Sequence, residues 1–241
     1  MNSHIIKTRR TSSLFVASVA LLFVFVLFPQ RPSHAQEMQR GVSVQMPVTS
    51  YATSVPDADH NDAWVVTVTD DGSLYFGADP MTREGLADWM KTHPRNREAK
   101  LYIKADARAP FASVEQVLEV GRRALFEAPI LLTSQREPIA AGAIVPPNGL
   151  EVLIAPTLPA GTVATVVQLL NSGQQRPLLR VNGDEISWSA LEGTLRRHFQ
   201  KGDEKIILLK ADQRLPFGQV VQVIDVCRST GAKVFLPTPE L

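Results

Sequence analysis

The hydrophobic pattern sets one long apolar run against many short ones. Residues 14–28 (LFVASVALLFVFVLF) are apolar at every position but Ser18. Beyond them, apolar residues come in bursts separated by Gly, Pro, Asp and Asn. Residues 64–69 (WVVTVT) are rich in β-branched side chains and read as a strand. Asp70-Asp71-Gly72 is a turn, and residues 73–77 pair back as a hairpin. Thr82 suits a helix N-cap, and Leu86, Trp89 and Met90 follow at helical spacing. His93-Pro94 ends that helix, because proline excludes its predecessor from helical geometry. A strand at 100–104, a helix at 112–126 and a strand at 129–133 complete the series. A second series follows: strand 163–170, a turn near 171–175, and strand 178–182. A helix from Ser189, with Glu192 in capping-box spacing, leads to strand 205–210, helix 217–229 and strand 233–236. Gly231 is a natural stop for the last helix.

The two series are copies of one another. Residues 104–111 (KADARAPF) match 210–217 (KADQRLPF) at an offset of 106. Between 101–120 and 207–226, ten of twenty positions are identical, where chance would give about one or two. Gly41-x-x-Val44 stands opposite Gly149-x-x-Val152, and Thr82-x3-Leu86 opposite Ser187-x3-Leu191. The expected organisation is a signal peptide or membrane anchor at 1–35 and a partly extended tether at 36–62. A first domain at 63–135 (with 41–47 as its leading segment), a Pro-, Ala- and Gly-rich linker at 136–149 and a second domain at 150–241 follow. The expected fold class is α+β: two tandem small domains, each a small β-sheet with two helices, after one N-terminal apolar helix.

Charge sharpens the reading of the apolar run. Residues 1–35 carry Lys7, Arg9, Arg10 and Arg31 and no acidic residue, a local charge of +4 against +1 for the chain, so the remainder carries −3. A spanning helix needs about 20 apolar residues, about 17 at the least. Residues 14–28 reach that only by borrowing Ser12, Ser13, Pro29 and Gln30. A signal peptide fits as well: basic start, apolar centre, and Ser33-His34-Ala35 as a small-x-small cleavage site ending at Ala35. A buried core helix is the third option. The first two both send residues 36–241 outward, because the basic flank stays cytoplasmic. Near-neutral net charge gives no general pull toward nucleic acid. The single cysteine, Cys227, allows no internal disulfide and no multi-thiolate zinc site, and reads as a small buried residue on a helix.

Order and motifs together resemble the ExbD/TolR family of biopolymer transport proteins. The basic start and single apolar segment are followed by Gly41-Val42-Ser43-Val44-Gln45-Met46-Pro47. Asp71-Gly72-Ser73-Leu74-Tyr75-Phe76-Gly77 with Met81-Thr82 is similar to the family's first half. Lys210-Ala211-Asp212, Phe217 to Asp225 (FGQVVQVID) and Thr230-Gly231-Ala232 are similar to its second half. The resemblance covers residues 36–238, once per copy. It implies a single-pass subunit of a proton-driven envelope motor, its bulk in the periplasm. Its partners would be an ExbB/TolQ-like motor channel subunit and a TonB/TolA-like energy-transducing rod protein. One departure matters: family motors carry an aspartate inside the membrane helix, and residues 1–35 hold no Asp or Glu. Proton translocation by this chain is therefore unsupported, and weight shifts to docking of partners. A soluble periplasmic binding module, for peptidoglycan for example, is the alternative. Family domains commonly dimerise, so two fused copies could mimic a dimer within one chain, and a homodimer of the chain is a further option.

Candidate docking residues are those the repeat keeps at its strand-to-helix junction: Lys104, Asp106 and Arg108, and Lys210, Asp212 and Arg214. The aspartates read either as a partner or anion site or as turn or cap residues that satisfy backbone N–H groups. Phe111 and Phe217 read as core anchors, as do Trp64, Trp89 and Trp188. His198, in the basic helix end Leu195-Arg196-Arg197-His198, complements the helix dipole. No nucleophile elbow, H-E-x-x-H, P-loop or G-x-G-x-x-G occurs. The expectation is a protein that is not an enzyme, with no cofactor and no metal.

Overall fold

A computed structural model describes residues 41–94, 96, 98–135, 146–199 and 204–238. The apolar run 14–28, the candidate cleavage site at Ala35 and residues 136–145 of the predicted linker lie outside the described residues. Among the described residues no helix is long and apolar enough to cross a membrane. They form a mixed α+β structure of two sheets and four α-helices.

In the first copy, β3 (Trp64–Val68) turns back into β4 (Leu74–Phe76), which pairs with β5 (Asp79–Met81). Gly72, at φ +85°, makes that first turn. Helix α1 (Arg83–Thr92) starts at Thr82, whose hydroxyl accepts from the Gly85 N–H (3.0 Å), as the sequence predicts. Strand β6 (Leu101–Ala105) lies parallel to β3, helix α2 (Phe111–Arg123) follows, and β7 (Ile130–Gln135) lies parallel to β6. The second copy repeats this order with β10 (Thr165–Leu170), β11 (Leu178–Val181), β12 (Asp184–Ile186), α3 (Leu191–His198), β13 (Ile206–Ala211), α4 (Phe217–Ser229) and β14 (Lys233–Pro237). Two short strands precede β3: β1 (Val48–Thr49), parallel to β7, and β2 (Thr53–Ser54).

Two helix ends depart from the pattern. The capping box expected at Ser189 and Glu192 does not form. A 3-10 turn (Trp188–Ala190) leads into α3, Ala190 gives no side-chain cap, and Glu192 pairs one turn on with Arg196 (2.7 Å). Helix α2 stops at Arg123 rather than 126, because Leu125 adopts φ +64°. The Phe126 N–H then reaches Gly121 O, and the Leu125 N–H reaches Arg122 O (both 2.9 Å), a Schellman ending. Glycine normally fills that position, as Gly231 does in the second copy at φ +76°. A leucine there gave no stop signal in the sequence.

One strand belongs to both copies. Residues 148–155 run as β8 (Asn148–Glu151), antiparallel to β7, and continue as β9 (Leu153–Ala155), parallel to β14. The β7 side stays paired along the second stretch, with Val152 N donating to Pro129 O and Ile154 N to Glu127 O. β2 pairs with β8 on its outer side. Leu150, Val152 and Ile154 are buried in a single apolar cluster that takes in Val66, Ile103, Phe111 and Leu131 of one copy with Val167, Leu209, Phe217 and Ile224 of the other. Phe111 and Phe217 are the core anchors expected of them. Cys227 is likewise wholly buried on α4, and desolvation pushes its thiol up to about 12. Trp64 packs edge-on against Trp89 (4.9 Å between ring centroids) and tilted against Phe126 (5.6 Å).

The copies also cross directly, about a local two-fold axis. Pro110 and Pro216 face one another as an antiparallel bridge. Phe111 N donates to Leu215 O (2.9 Å) and Phe217 N to Ala109 O (2.8 Å). Ala112 N donates to Gln213 O (2.9 Å) and Gly218 N to Ala107 O (2.8 Å). Every bond maps onto its mate at the repeat offset. The prolines sit at the bridge position where neither residue needs to donate, so their missing N–H costs nothing.

A side chain at Gly218 would disturb this crossing. A Cβ there would lie 3.0 Å from Ala107 O and 3.1 Å from Ala107 Cβ. Gly218→Val is expected to cost about 1–3 kcal/mol in urea unfolding. Gly193→Ala, whose Cβ would meet only Arg197 Nη1 at 3.7 Å, should be neutral or stabilising. Equal effects of the two substitutions would argue against the crossing.

Candidate functional site

The six repeated residues sit where β6 and β13 hand over to α2 and α4, beside the crossing. Each aspartate closes a short turn on its own arginine. Asp106 Oδ1 accepts from Arg108 N (3.0 Å) and Nε (2.9 Å), and Oδ2 from Nη2 (3.1 Å). Asp212 repeats this with Arg214 at 2.9, 3.1 and 2.8 Å. Such a fork-to-fork pair with a backbone N–H stabilises the carboxylate strongly. Both acids are held down at about 2, chiefly by the arginine side-chain bonds.

The environments differ despite the shared pattern. The Asp106 side chain is only 4% exposed and that of Asp212 22%. Asp106 Oδ2 has an additional donor, the Gln45 N–H (2.9 Å), while Gln45 O accepts from Ala107 N (2.8 Å). The leading segment of the first copy is thus laced to its junction loop. The guanidiniums point outward, with Arg108 64% and Arg214 76% exposed, and Arg108 also reaches Asp70 (3.3 Å). Lys104 and Lys210 diverge more. Lys104 is half-buried; desolvation lowers its pKa while the nearby Asp59 favours its charge. Lys210 is exposed.

A third carboxylate, not among the candidate docking residues of the sequence, extends the site. Buried Asp225 on α4 accepts the Ser50 N–H and the Tyr51 N–H, each at 2.8 Å. Its counterpart at the repeat offset, Glu119, instead holds Arg83 and Arg123 (2.7 Å for the latter) within its own copy. Residues 41–55 are therefore a strap. It is fixed at Gln45 to the first copy's junction, at Val48–Thr49 to β7, at Ser50 and Tyr51 to the second copy's helix, and at Val55 to Pro147 O. The sequence signal was present in the conservative pair Glu119/Asp225, but nothing in it revealed the strap's path.

Chemically, the arrangement is one of satisfied carboxylates and outward guanidiniums. Among the described residues no group of three or more His, Cys, Asp or Glu is placed to hold a metal ion. His198 lies in the last turn of α3 beside Arg196 and Arg197, where the dipole argument puts it.

Architecture and site together define a paired α+β module built from two copies of one unit. The family model of the biopolymer transport protein ExbD/TolR matches residues 13–136 and 143–238. The chain belongs to the ExbD/TolR family, whose members are not enzymes. No curated protein and no solved structure matches the chain.

The two aspartates separate by substitution and by pH. Asp106 has a folded pKa of about 2, below the unfolded value of about 3.9, so its contribution is complete above the unfolded value. It is lost as pH falls through about 2. Asp106→Asn is expected to cost about 2–3 kcal/mol in urea unfolding at neutral pH, since it weakens a buried charge-assisted network. The gap to wild type should narrow as pH falls from about 4 to about 2. Asp212→Asn, at the more open site, should cost clearly less. A larger loss at Asp212 would contradict this assignment.

Proposed function

We propose that this chain is a non-enzymatic component of a proton-motive-force-linked envelope transport system that docks protein partners through its paired periplasmic domains. The observation that carries this reading is the pairing itself: two family domains in one chain, joined about a local two-fold axis and sharing one core. The family is generally membrane-anchored with a periplasmic domain, and works with ExbB/TolQ and TonB/TolA partners. Its model matches from residue 13, so the match takes in the apolar run 14–28, which favours a single-pass inner-membrane anchor.

In this reading the partners are an ExbB/TolQ-like channel subunit and a TonB/TolA-like rod protein. Of the repeated junction residues, Lys210 and the exposed outer sides of Arg108 and Arg214 are the ones a partner can reach, since Asp106 and Asp212 are satisfied internally. Strand addition suits β12, the outer strand of the second sheet. It suits β5 less, because Pro80 there lacks an N–H. The absence of Asp and Glu before Glu37 supports a second reading: a periplasmic binding module, for peptidoglycan for example, with no motor role.

Fractionation of cells expressing the tagged chain distinguishes the two. An uncleaved chain in the inner membrane, co-purifying with a multi-span channel subunit, is expected. A chain cleaved after Ala35, soluble in the periplasm and retained on peptidoglycan, would replace the transport reading with the second one.

A further inference from the structure

The outer faces of the two sheets, equivalent by the repeat, are treated differently. In the first copy Val65, Tyr102 and Ile130 form one cross-strand row, with Leu132 beside it on the same face. All four are buried, in a cluster with Ala58 that Met46, Val55 and Ala63 cover. The cover is the chain before β3, whose 3-10 turn Pro56–Asp59 puts Ala58 into the cluster. The turn's acids lie near the face as well. Asp57 acts on Tyr102, and Asp59 on Lys104.

In the second copy the same row is Val166, Leu208, Phe235 and Leu153. All four are only half-buried, and they belong to neither apolar cluster of the described residues. The chain that should cover them, residues 156–164, contains no acid and no buried residue. Val163 within it is 88% exposed. Beside the apolar row lies a cationic one. Gln168 is flanked by Lys210 on β13 and Arg180 on β11, with Glu185 beyond at the edge. Lys210 is exposed, whereas Lys104 in the first copy has Asp59 near it. Arg180 Nε is shielded from solvent and has no hydrogen-bond partner among the described residues.

We propose that the outer face of the second sheet, built on Val166, Leu208, Phe235, Lys210 and Arg180, docks a short acidic and apolar segment of a partner protein. The segment sits as residues 55–59 sit on the first sheet. Its small apolar side chain enters the row and its carboxylate meets Lys210 and Arg180. This names a surface for the docking reading above and rests on it. The first copy displays the occupant's chemistry, and the charge of the bare face selects for it. A neutral apolar occupant would leave Lys210 and Arg180 without partners.

The test uses a fluorescent peptide with the sequence of residues 53–63 (TSVPDADHNDA) and the full-length chain in detergent. The first copy's face is already filled by its own segment, so saturable binding reports the second. Binding is expected below about 1 mM, weakening with salt. Replacing both Asp57 and Asp59 in the peptide by Asn should weaken it about tenfold. Lys210→Glu and Leu208→Asp in the chain should each do the same, while Lys104→Glu leaves it unchanged. Lys210 is exposed, so its variant stays informative if Leu208→Asp unfolds the chain. Absence of binding, or binding indifferent to Lys210→Glu, overturns the proposal. So does concentration-dependent dimerisation in sedimentation that Leu208→Asp abolishes, which would give the face to a second copy. A channel subunit that co-purifies while the peptide fails to bind refutes this surface and leaves the transport reading intact. Peptide binding without any channel subunit supports the surface and removes the transport reading.

Discussion

Four backbone N–H groups at the starts of two helices find their acceptors in each other's loops, and the rest of the molecule is arranged around that exchange. An α-helix begins with donors that have no partner within the helix. Helices α2 and α4 both begin after a proline that offers no side-chain cap. Phe111 and Ala112 instead use Leu215 and Gln213, and Phe217 and Gly218 use Ala109 and Ala107. Neither copy can complete its own helix start. Joining them in one chain keeps each at high effective concentration for the other, so the pairing does not depend on protein concentration. The shared strand at residues 148–155 and the common apolar core follow from the same apposition.

Because the crossing fixes the copies, their other surfaces are free to differ, and the differences fall at equivalent positions. Glu119 holds two arginines of its own copy, while Asp225 holds the strap arriving from the other. Leu125 closes one helix at a positive φ and Gly231 the other. Lys104 has Asp59 near it, and Lys210 is bare. A homodimer of one domain would have to make every change twice. A fused pair confines each change to one side, so one sheet face can be covered by the chain itself while its mate stays open.

The repeat, the succession of the longer strands along the chain and most helix limits were legible because they rest on local patterns. β-Branched runs, a Thr82 cap, a Gly231 stop and an identical K-A-D-x-R-x-P-F motif all act within a few residues of themselves. The crossing was not legible, because its donors and acceptors are backbone atoms more than a hundred residues apart. The only local trace was negative: a repeated Pro-Phe helix start with no Ser, Thr, Asp or Asn to cap it. The aspartates offered a similar ambiguity. Their turn-forming role is local and was foreseen as one option, but the extra bond from Gln45 to Asp106 depends on a strap whose path no periodicity encodes. The failed capping box at Ser189 shows the converse. A local motif was present, yet Glu192 is better satisfied by Arg196 on the same helix.

The strap also ties the two copies together at their entrance. The chain that leads in from residue 41 is held first by the buried Asp106 loop, next by β7, and then by Asp225 of the second copy. These attachments are charge-assisted hydrogen bonds and a short parallel ladder in partly buried surroundings, where water competes poorly. The segment entering at residue 41 is not attached to one copy alone. Its attachments reach both copies between Gln45 and Tyr51, and the first of them lies next to the crossing on which both helices depend. The entering segment is therefore tied across the domain pair.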